Sequence, residues 1–209
     1  MTLTSTTRRF FGELAQIWPE ATQRNAMLAL VSDDAEEQTR AALILSQVPV
    51  FNAVLRDTIS PTMMSAGKQG NVIPAEASVM LNPRTIPGHS IDDLAAKISA
   101  FIGDDGVEVE VTHRGVDAAA SDENSVMFEA IASAAKSLDP EMAVVPYLST
   151  GATDSSALRR LGINAYGLLP FPMVQSDEER MHGHDERVPI ASLVFGTKLI
   201  YESVRRVCT

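Results

Sequence analysis

Cysteine is nearly absent from this chain. A single residue, Cys208, cannot form an internal disulfide, which excludes the disulfide-stapled small secreted scaffolds and fits a reducing compartment. Positive charge is also in deficit, with 17 Lys and Arg against 27 Asp and Glu and a formal net charge of -10. That balance excludes the basic footprint by which proteins hold nucleic acid or an anionic membrane. No apolar run approaches the roughly 20 residues of a spanning helix. The opening MTLTSTTRRFFGELAQIW lacks the apolar core of a signal peptide. Histidine is scarce too, four in 209 residues, so a histidine-based metal site has few residues to draw on. What remains is 45% hydrophobic with a mean hydropathy of +0.03, enough for a real core. These features predict a soluble, acidic, globular chain, expected in the cytoplasm, of one large domain or two small ones.

The first 60 residues read as helical. Ser32-Asp33-Asp34-Ala35-Glu36-Glu37 sets a capping residue and acids ahead of AALIL, as a helix start prefers. Pro49 opens a further short helix. At Asp57 the texture changes: TISPTMMSAGKQGNVIPAEASVMLNPR predicts two strands around a glycine-bearing turn, with Ala77, Val79 and Leu81 on one face and Met80, Asn82 and Arg84 on the other. Ser90 then caps a helix that carries Ile91, Leu94, Ile98 and Ile102 on one stripe and stops at Gly103. The alternation in VEVEVTH predicts a half-buried antiparallel strand.

From about Val116 a helix through SVMFEAIASAAKSL ends at Asp139-Pro140. AVVPYL, ATDSSALRRLG and INAYGLL then predict a strand–helix–strand unit, the last strand apolar enough to be covered on both faces. A final helix begins at Pro189 and sets Leu193, Thr197, Ile200, Val204 and Val207 along one seam. So few parallel strands do not close an α/β core, and this portion reads as the back end of a larger domain. The sequence predicts a helical arm and lid over 1–115, followed by an α/β segment over 116–209.

Three motifs occur in order: LRDTISPTMMSAGKQGNVIPAEASVMLNPRTIPG at 55–88, STGATDSSALRRLGINAYGLLPF at 149–171 and MHGHDERV at 181–188. Together they closely resemble the lid and C-terminal catalytic segment of the aminoacylase / carboxypeptidase S family of di-zinc metallopeptidases, over most of residues 50–207. The resemblance implies a mixed α+β and α/β architecture. Its lid would be a ferredoxin-like βαββ unit, an antiparallel sheet with helices on one face and lacking its first strand; an incomplete α/β catalytic segment would follow. It further implies that His182 matches a zinc-ligand position, that Asn71 and Arg84 match lid residues reaching the substrate carboxylate or carbonyl, and that Gly151 and Thr153 match a turn lining the cleft, braced by Asp154. A planar guanidinium suits bidentate recognition of a free carboxylate. The implied partners are a small molecule or short peptide bearing such a carboxylate, and a second copy of the chain joined through the lid.

The departures from the family pattern weigh as much. Its upstream H-x-D pair, Glu-Glu pair and lid histidine have no counterpart here, so the resemblance implies a chain that begins inside the lid. One candidate ligand does not hold catalytic zinc, which takes about three protein ligands. Zinc, two ions in the complete family enzyme, is therefore not expected to bind this chain stably, and no general base is expected within it. Glu36-Glu37 reads as a helix-start pair, His184 as a loop residue, and His89 and His113 as solvated. Two functions follow. One is a portion of a metal-dependent hydrolase that cleaves C-terminal peptide bonds or N-acyl amino acids and is inactive alone; the other is a non-catalytic lid-derived module for dimerisation or carboxylate binding.

Overall fold

The computed structural model describes residues 1–115 and 118–208. They form two compact units: Met1–Ala119 with Tyr147–Ala152, and Ala120–Pro146 with Thr153–Thr209.

The first unit opens with four helices, α1 (Ser5–Leu14), α2 (Ala21–Leu30), α3 (Ala35–Leu45) and α4 (Pro49–Ala53). The first three begin on side chains that accept otherwise orphaned backbone N–H groups: Thr4 from Thr7, Glu20 from Thr22 and Gln23, and Asp34 from Glu36 and Glu37. Pro49 stands in the first turn of α4, where its missing N–H costs nothing. Phe11, Met27, Leu30, Leu45, Phe51 and Leu55 are buried between these helices. Phe51 is met edge-on by Phe11 and Trp18, at ring-centre distances of 5.5 and 5.4 Å. Truncating such a residue as Leu45 to alanine costs about 2–5 kcal/mol.

An antiparallel ribbon follows, β1 (Thr58–Ala66) paired with β2 (Ala77–Arg84), in register from Thr58↔Arg84 to Ala66↔Ala77, with a bulge between Pro61 and Met63. Its proline at 83 is tolerated because each strand of a two-stranded ribbon has an open side. Both faces are exposed, Met64 to 81% and, in the loop at its tip, Ile73 to 93%. An isolated ribbon of this kind is marginal in water, so its attachment at the base matters. Helix α5 (Ile91–Ile102) comes next, capped by Ser90 and ended by Gly103 at φ 61°.

The expected ferredoxin-like lid is realised only in part: a two-stranded sheet and a following helix are present, yet among the described residues no helix covers the ribbon and the stretch at 107–113 joins no ladder. The alternation expected of Val107, Val109 and Val111 appears in burial only in part: Val109 and Val111 are half-buried and Glu108 and Glu110 exposed, but Val107 is 45% exposed. Alternation encodes which side chains face inward; it does not supply a partner strand. Arg114 instead returns this stretch to α5, its guanidinium donating to both oxygens of Asp92 at 2.7 and 2.8 Å.

The second unit contains α6 (Val126–Leu138), α7 (Ser155–Arg160), α8 (Gln175–Glu178) and α9 (Ile190–Cys208). No strand is present among its described residues, a second departure from expectation. The stretch at 163–169 is held by side chains: Ser121 Oγ donates to Ala165 O at 2.8 Å and accepts from Ala165 N at 3.0 Å, and Asn164 Oδ1 accepts from Asp122 N.

The predicted seam of α9 is also not the buried one. Leu193, Ile200, Val204 and Val207 are each at least 43% exposed, while Ser192, Gly196, Leu199 and Ser203 are buried. Leu199 packs with Ala134 and Ala135 of α6, joined by Leu138, Met142, Val144 and Phe195. Small residues let two helix backbones approach closely, and that contact, one helix-face away from the apolar seam, forms the core of this unit.

Candidate functional site

The sequence-predicted site residues fall in both units, so each is placed within its own. In the first unit, Asn71 lies in the loop at the ribbon tip and Arg84 at its base, opposite Thr58. The length of β2 from Ala77 to Arg84 lies between them, roughly 23 Å at ~3.3 Å per residue. The ribbon therefore does not bring Asn71 and Arg84 together. Arg84 is exposed and its guanidinium has no protein partner among the described residues. Asn71 is likewise exposed. Gly151 closes a short segment of the same unit. Its N–H donates to Ser149 Oγ at 3.3 Å, and Tyr147, four positions earlier, stacks on Phe10 of α1 with ring centres 5.5 Å apart.

In the second unit, Thr153 caps α7: its hydroxyl accepts from Ser155 N at 3.3 Å and its carbonyl from the Ser156 hydroxyl. Asp154 holds the cap position without a side-chain hydrogen bond. His182 lies in an exposed turn with a backbone φ of 62°, and Asp185 follows at φ 56°. Two non-glycine residues in the left-handed region so close together are uncommon and cost of order 1 kcal/mol each. The turn is closed by Gly183 N donating to Arg180 O at 2.8 Å and by an Arg180–Asp185 ion pair at 3.6 Å. Arg187 donates to Asp177 at 2.7 Å and anchors the exit.

Among the described residues no three His, Cys, Asp or Glu side chains come together as a metal site. The residues present thus do not fit a metal centre by themselves, since about three protein ligands are required. His182 is one candidate; of the nearby acids, Asp185 pairs with Arg180 and Asp177 with Arg187.

A tighter polar cluster lies at the ribbon base, where sequence reasoning placed a solvated His89. His89 Nδ1 is 2.8 and 2.9 Å from the oxygens of Asp57, Asp57 Oδ1 also accepts from Ile86 N at 2.8 Å, and His89 Nε2 is 3.3 Å from the Thr2 hydroxyl. An ionised carboxylate only accepts, so Nδ1 carries a proton. Burial alone would raise the Asp57 carboxyl; the Ile86 and His89 hydrogen bonds, with the charges of His89 and Lys97, outweigh it and hold the group below its ordinary 3.8. Asp57 and the Pro-Gly-His run flank the two strands in sequence, but nothing in the pattern showed that they meet.

The sequence profile of the peptidase family M20/M25/M40 matches residues 14–206, through both units. The chain belongs to this family. Among M20 relatives, the probable carboxypeptidase S-like 2 of Dictyostelium discoideum is 32% identical over 148 residues, 70% of this chain and 28% of the relative. The human N-fatty-acyl-amino acid synthase/hydrolase PM20D1 is 26% identical over 77% of this chain and 33% of its own length. A putative succinyl-diaminopimelate desuccinylase DapE of Mycobacterium tuberculosis is 29% identical over 73% and 40%. The crystal structure of an M20 family metallo-carboxypeptidase from Sulfolobus solfataricus, Sso-CP2, superposes with a TM-score of 0.57 at 17% identity, covering 98% of this chain and 45% of that one. That likeness shows the fold. This chain spans about a third of the length of the curated relatives it matches. No helix among the described residues is long and apolar enough to cross a membrane.

Proposed function

We propose that this chain is the lid and C-terminal portion of an M20 hydrolase that cleaves the amide of an N-acyl amino acid or the C-terminal peptide bond of a short peptide. The observation that carries the reading is the family match through both units. The relatives' names, a carboxypeptidase, an N-fatty-acyl-amino acid hydrolase and a desuccinylase, share an amide near a free carboxylate. Arg84 is this chain's recognition group for that carboxylate, its guanidinium unclaimed by any described side chain and able to bind in bidentate fashion. Asn71 and the Gly151–Thr153 turn are assigned to the substrate side, and His182 to the metal side. The general base and the remaining ligands belong to residues outside this sequence, so the chain alone is inactive.

Two features of the second unit agree with a missing complement. The α9 seam of Leu193, Ile200 and Val204 is left half-exposed, and the apolar stretch at 163–169 has no strand beside it among the described residues. The ribbon edges support pairing of two lids into one sheet, since unpaired backbone groups template strand addition.

The test is complementation. The chain is co-expressed with an M20 segment carrying the H-x-D and Glu-Glu motifs, and hydrolysis of N-acyl amino acids and C-terminal dipeptides is measured for the chain alone and for the pair. Hydrolysis by the pair alone supports the reading; a pair that assembles, binds metal and hydrolyses neither class overturns it. The exposed Arg84 favours one second reading, a carboxylate-binding module without catalysis. That reading requires the chain alone to bind N-acetyl amino acids by calorimetry, with binding lost in Arg84→Ala.

A further inference from the structure

Among the described residues both faces of the ribbon are exposed except at Thr58 and Pro83 near its base, so what holds it to the helical arm is concentrated where its two strands enter and leave. Asp57 immediately precedes β1, and Ile86 and His89 follow β2. The Asp57 carboxylate binds across that gap, taking the Ile86 N–H on one oxygen and the His89 ring on both. On the far side, His89 reaches the Thr2 hydroxyl, while Thr2 N donates to Leu55 O at 2.8 Å. The Ile86 side chain is 3% exposed, and the arm residues Val54 and Leu55, just ahead of Asp57, are 1% and 0% exposed. One carboxylate thus joins both ends of the ribbon to the arm.

We infer that Asp57 and His89 are positioning residues: they clasp the base of the ribbon to the helical arm and thereby fix the stance of Arg84, the neighbour of that clasp in the first rung of the ladder. The role assigned to Arg84 rests on the proposed function above; the clasp itself does not. The groups acting on Asp57 are His89 beyond β2 and Lys97 on α5, with Thr2 the neutral contribution of the N-terminal segment. Lys97 acts on Asp57 by charge, so the geometry of the clasp comes from the Asp57–His89 pair with the Ile86 N–H and the Thr2 hydroxyl.

The experiment is hydrogen exchange on the full chain, resolved down to milliseconds so that amides of an exposed ribbon are still timed. Asp57→Ala leaves the Ile86 N–H and the His89 ring without their acceptor, and exchange at Ile86 and along β1 and β2 is expected to rise about tenfold or more. His89→Gln, which keeps amide donors near the carboxylate, gives a smaller rise, and α6 and α9 stay at the native rate in both. Unchanged exchange at Ile86 and the ribbon in Asp57→Ala overturns the clasp. In the complemented enzyme, Asp57→Ala is expected to raise KM for carboxylate substrates several-fold with kcat within about twofold, the signature of displaced ground-state binding. A fall in kcat with KM unchanged overturns the link to Arg84. A wild-type pair without activity sinks the proposed function but leaves the exchange result to judge the clasp.

Discussion

Gly196 sits in α9 where the chain at 170–172 crosses the helix. A β-carbon added there would lie 2.8 Å from Pro170 O and 2.8 Å from Phe171 Cδ1 and Cε1, against a preferred carbon–carbon separation of about 3.5–4.0 Å. One of these neighbours is a backbone carbonyl, and the crossing is pinned at Pro172, whose carbonyl accepts from the Ser192 hydroxyl. Helix propensity alone says Gly196→Ala stabilises by about 1 kcal/mol. Overpacking a fixed neighbour costs about 1–3 kcal/mol, so the propensity gain is cancelled or exceeded and the expected net effect is destabilisation of the second unit by up to about 2 kcal/mol. Gly12 in α1 is the control, since nothing lies within 4 Å of its would-be β-carbon; Gly12→Ala should stabilise the first unit by up to about 1 kcal/mol. Trp18 is the lone tryptophan and lies in the first unit, so its fluorescence follows that unit while far-UV circular dichroism follows both. Urea titration should show Gly196→Ala moving the dichroism transition to lower urea with the Trp18 transition unmoved, and Gly12→Ala moving the Trp18 transition upward. A Gly196→Ala protein more stable than the native one by the full propensity gain of about 1 kcal/mol would mean that the 170–172 crossing does not press on α9 and would refute this account.

Ser125 caps α6 by accepting from Phe128 N at 3.2 Å and also shares a hydrogen bond with the Tyr166 hydroxyl, so Ser125→Ala should lower unit stability by about 1–2 kcal/mol in the same titration. The depressed Asp57 carboxyl fixes the sign of one pH effect: its contribution is full above its ordinary 3.8 and is lost as pH falls through the lower folded value. Exchange at Ile86 should therefore quicken, beyond the intrinsic pH dependence of amide exchange, on acidification below about pH 4, and Asp57→Ala should abolish that excess. Ile200→Glu, on a side chain 43% exposed, should change the stability of this chain by less than about 0.5 kcal/mol yet abolish complementation by the metal-binding segment. Light scattering of the chain should give a dimer mass that Met80→Lys on the ribbon reduces; an unshifted monomer mass for the native chain would count against lid pairing.

The local signals proved readable because they depend on neighbours in sequence. Pro49 at the start of α4, Asp34 and Ser90 as caps, and Gly103 as a left-handed stop each answer a backbone need within a few residues. Glu36-Glu37 is the helix-start pair that the sequence indicated. The errors concern partners distant in sequence. VEVEV carries the alternation of a strand but joins no ladder, and INAYGLL is held by Ser121 and Asp122 in place of one. On α9 the largest apolar residues marked a seam, while the helix packs on the small face of Ser192, Gly196, Leu199 and Ser203. His89 looked solvated because its partners lie 32 and 87 positions away.

By itself the sequence determined the helical character of the first 60 residues and several helix ends, the ribbon and its turn, and three motifs specific enough in combination to indicate the family. Those features are set by backbone hydrogen bonding, side-chain periodicity and residue identity, all of which act at short range. Tertiary structure alone decided which face of α9 is buried, that Asn71 and Arg84 stand at opposite ends of one ribbon, and that a single carboxylate at Asp57 ties that ribbon to the arm. Each of these depends on which distant surface competes best for a face or a donor. That choice rests on shape and packing, which no local pattern carries.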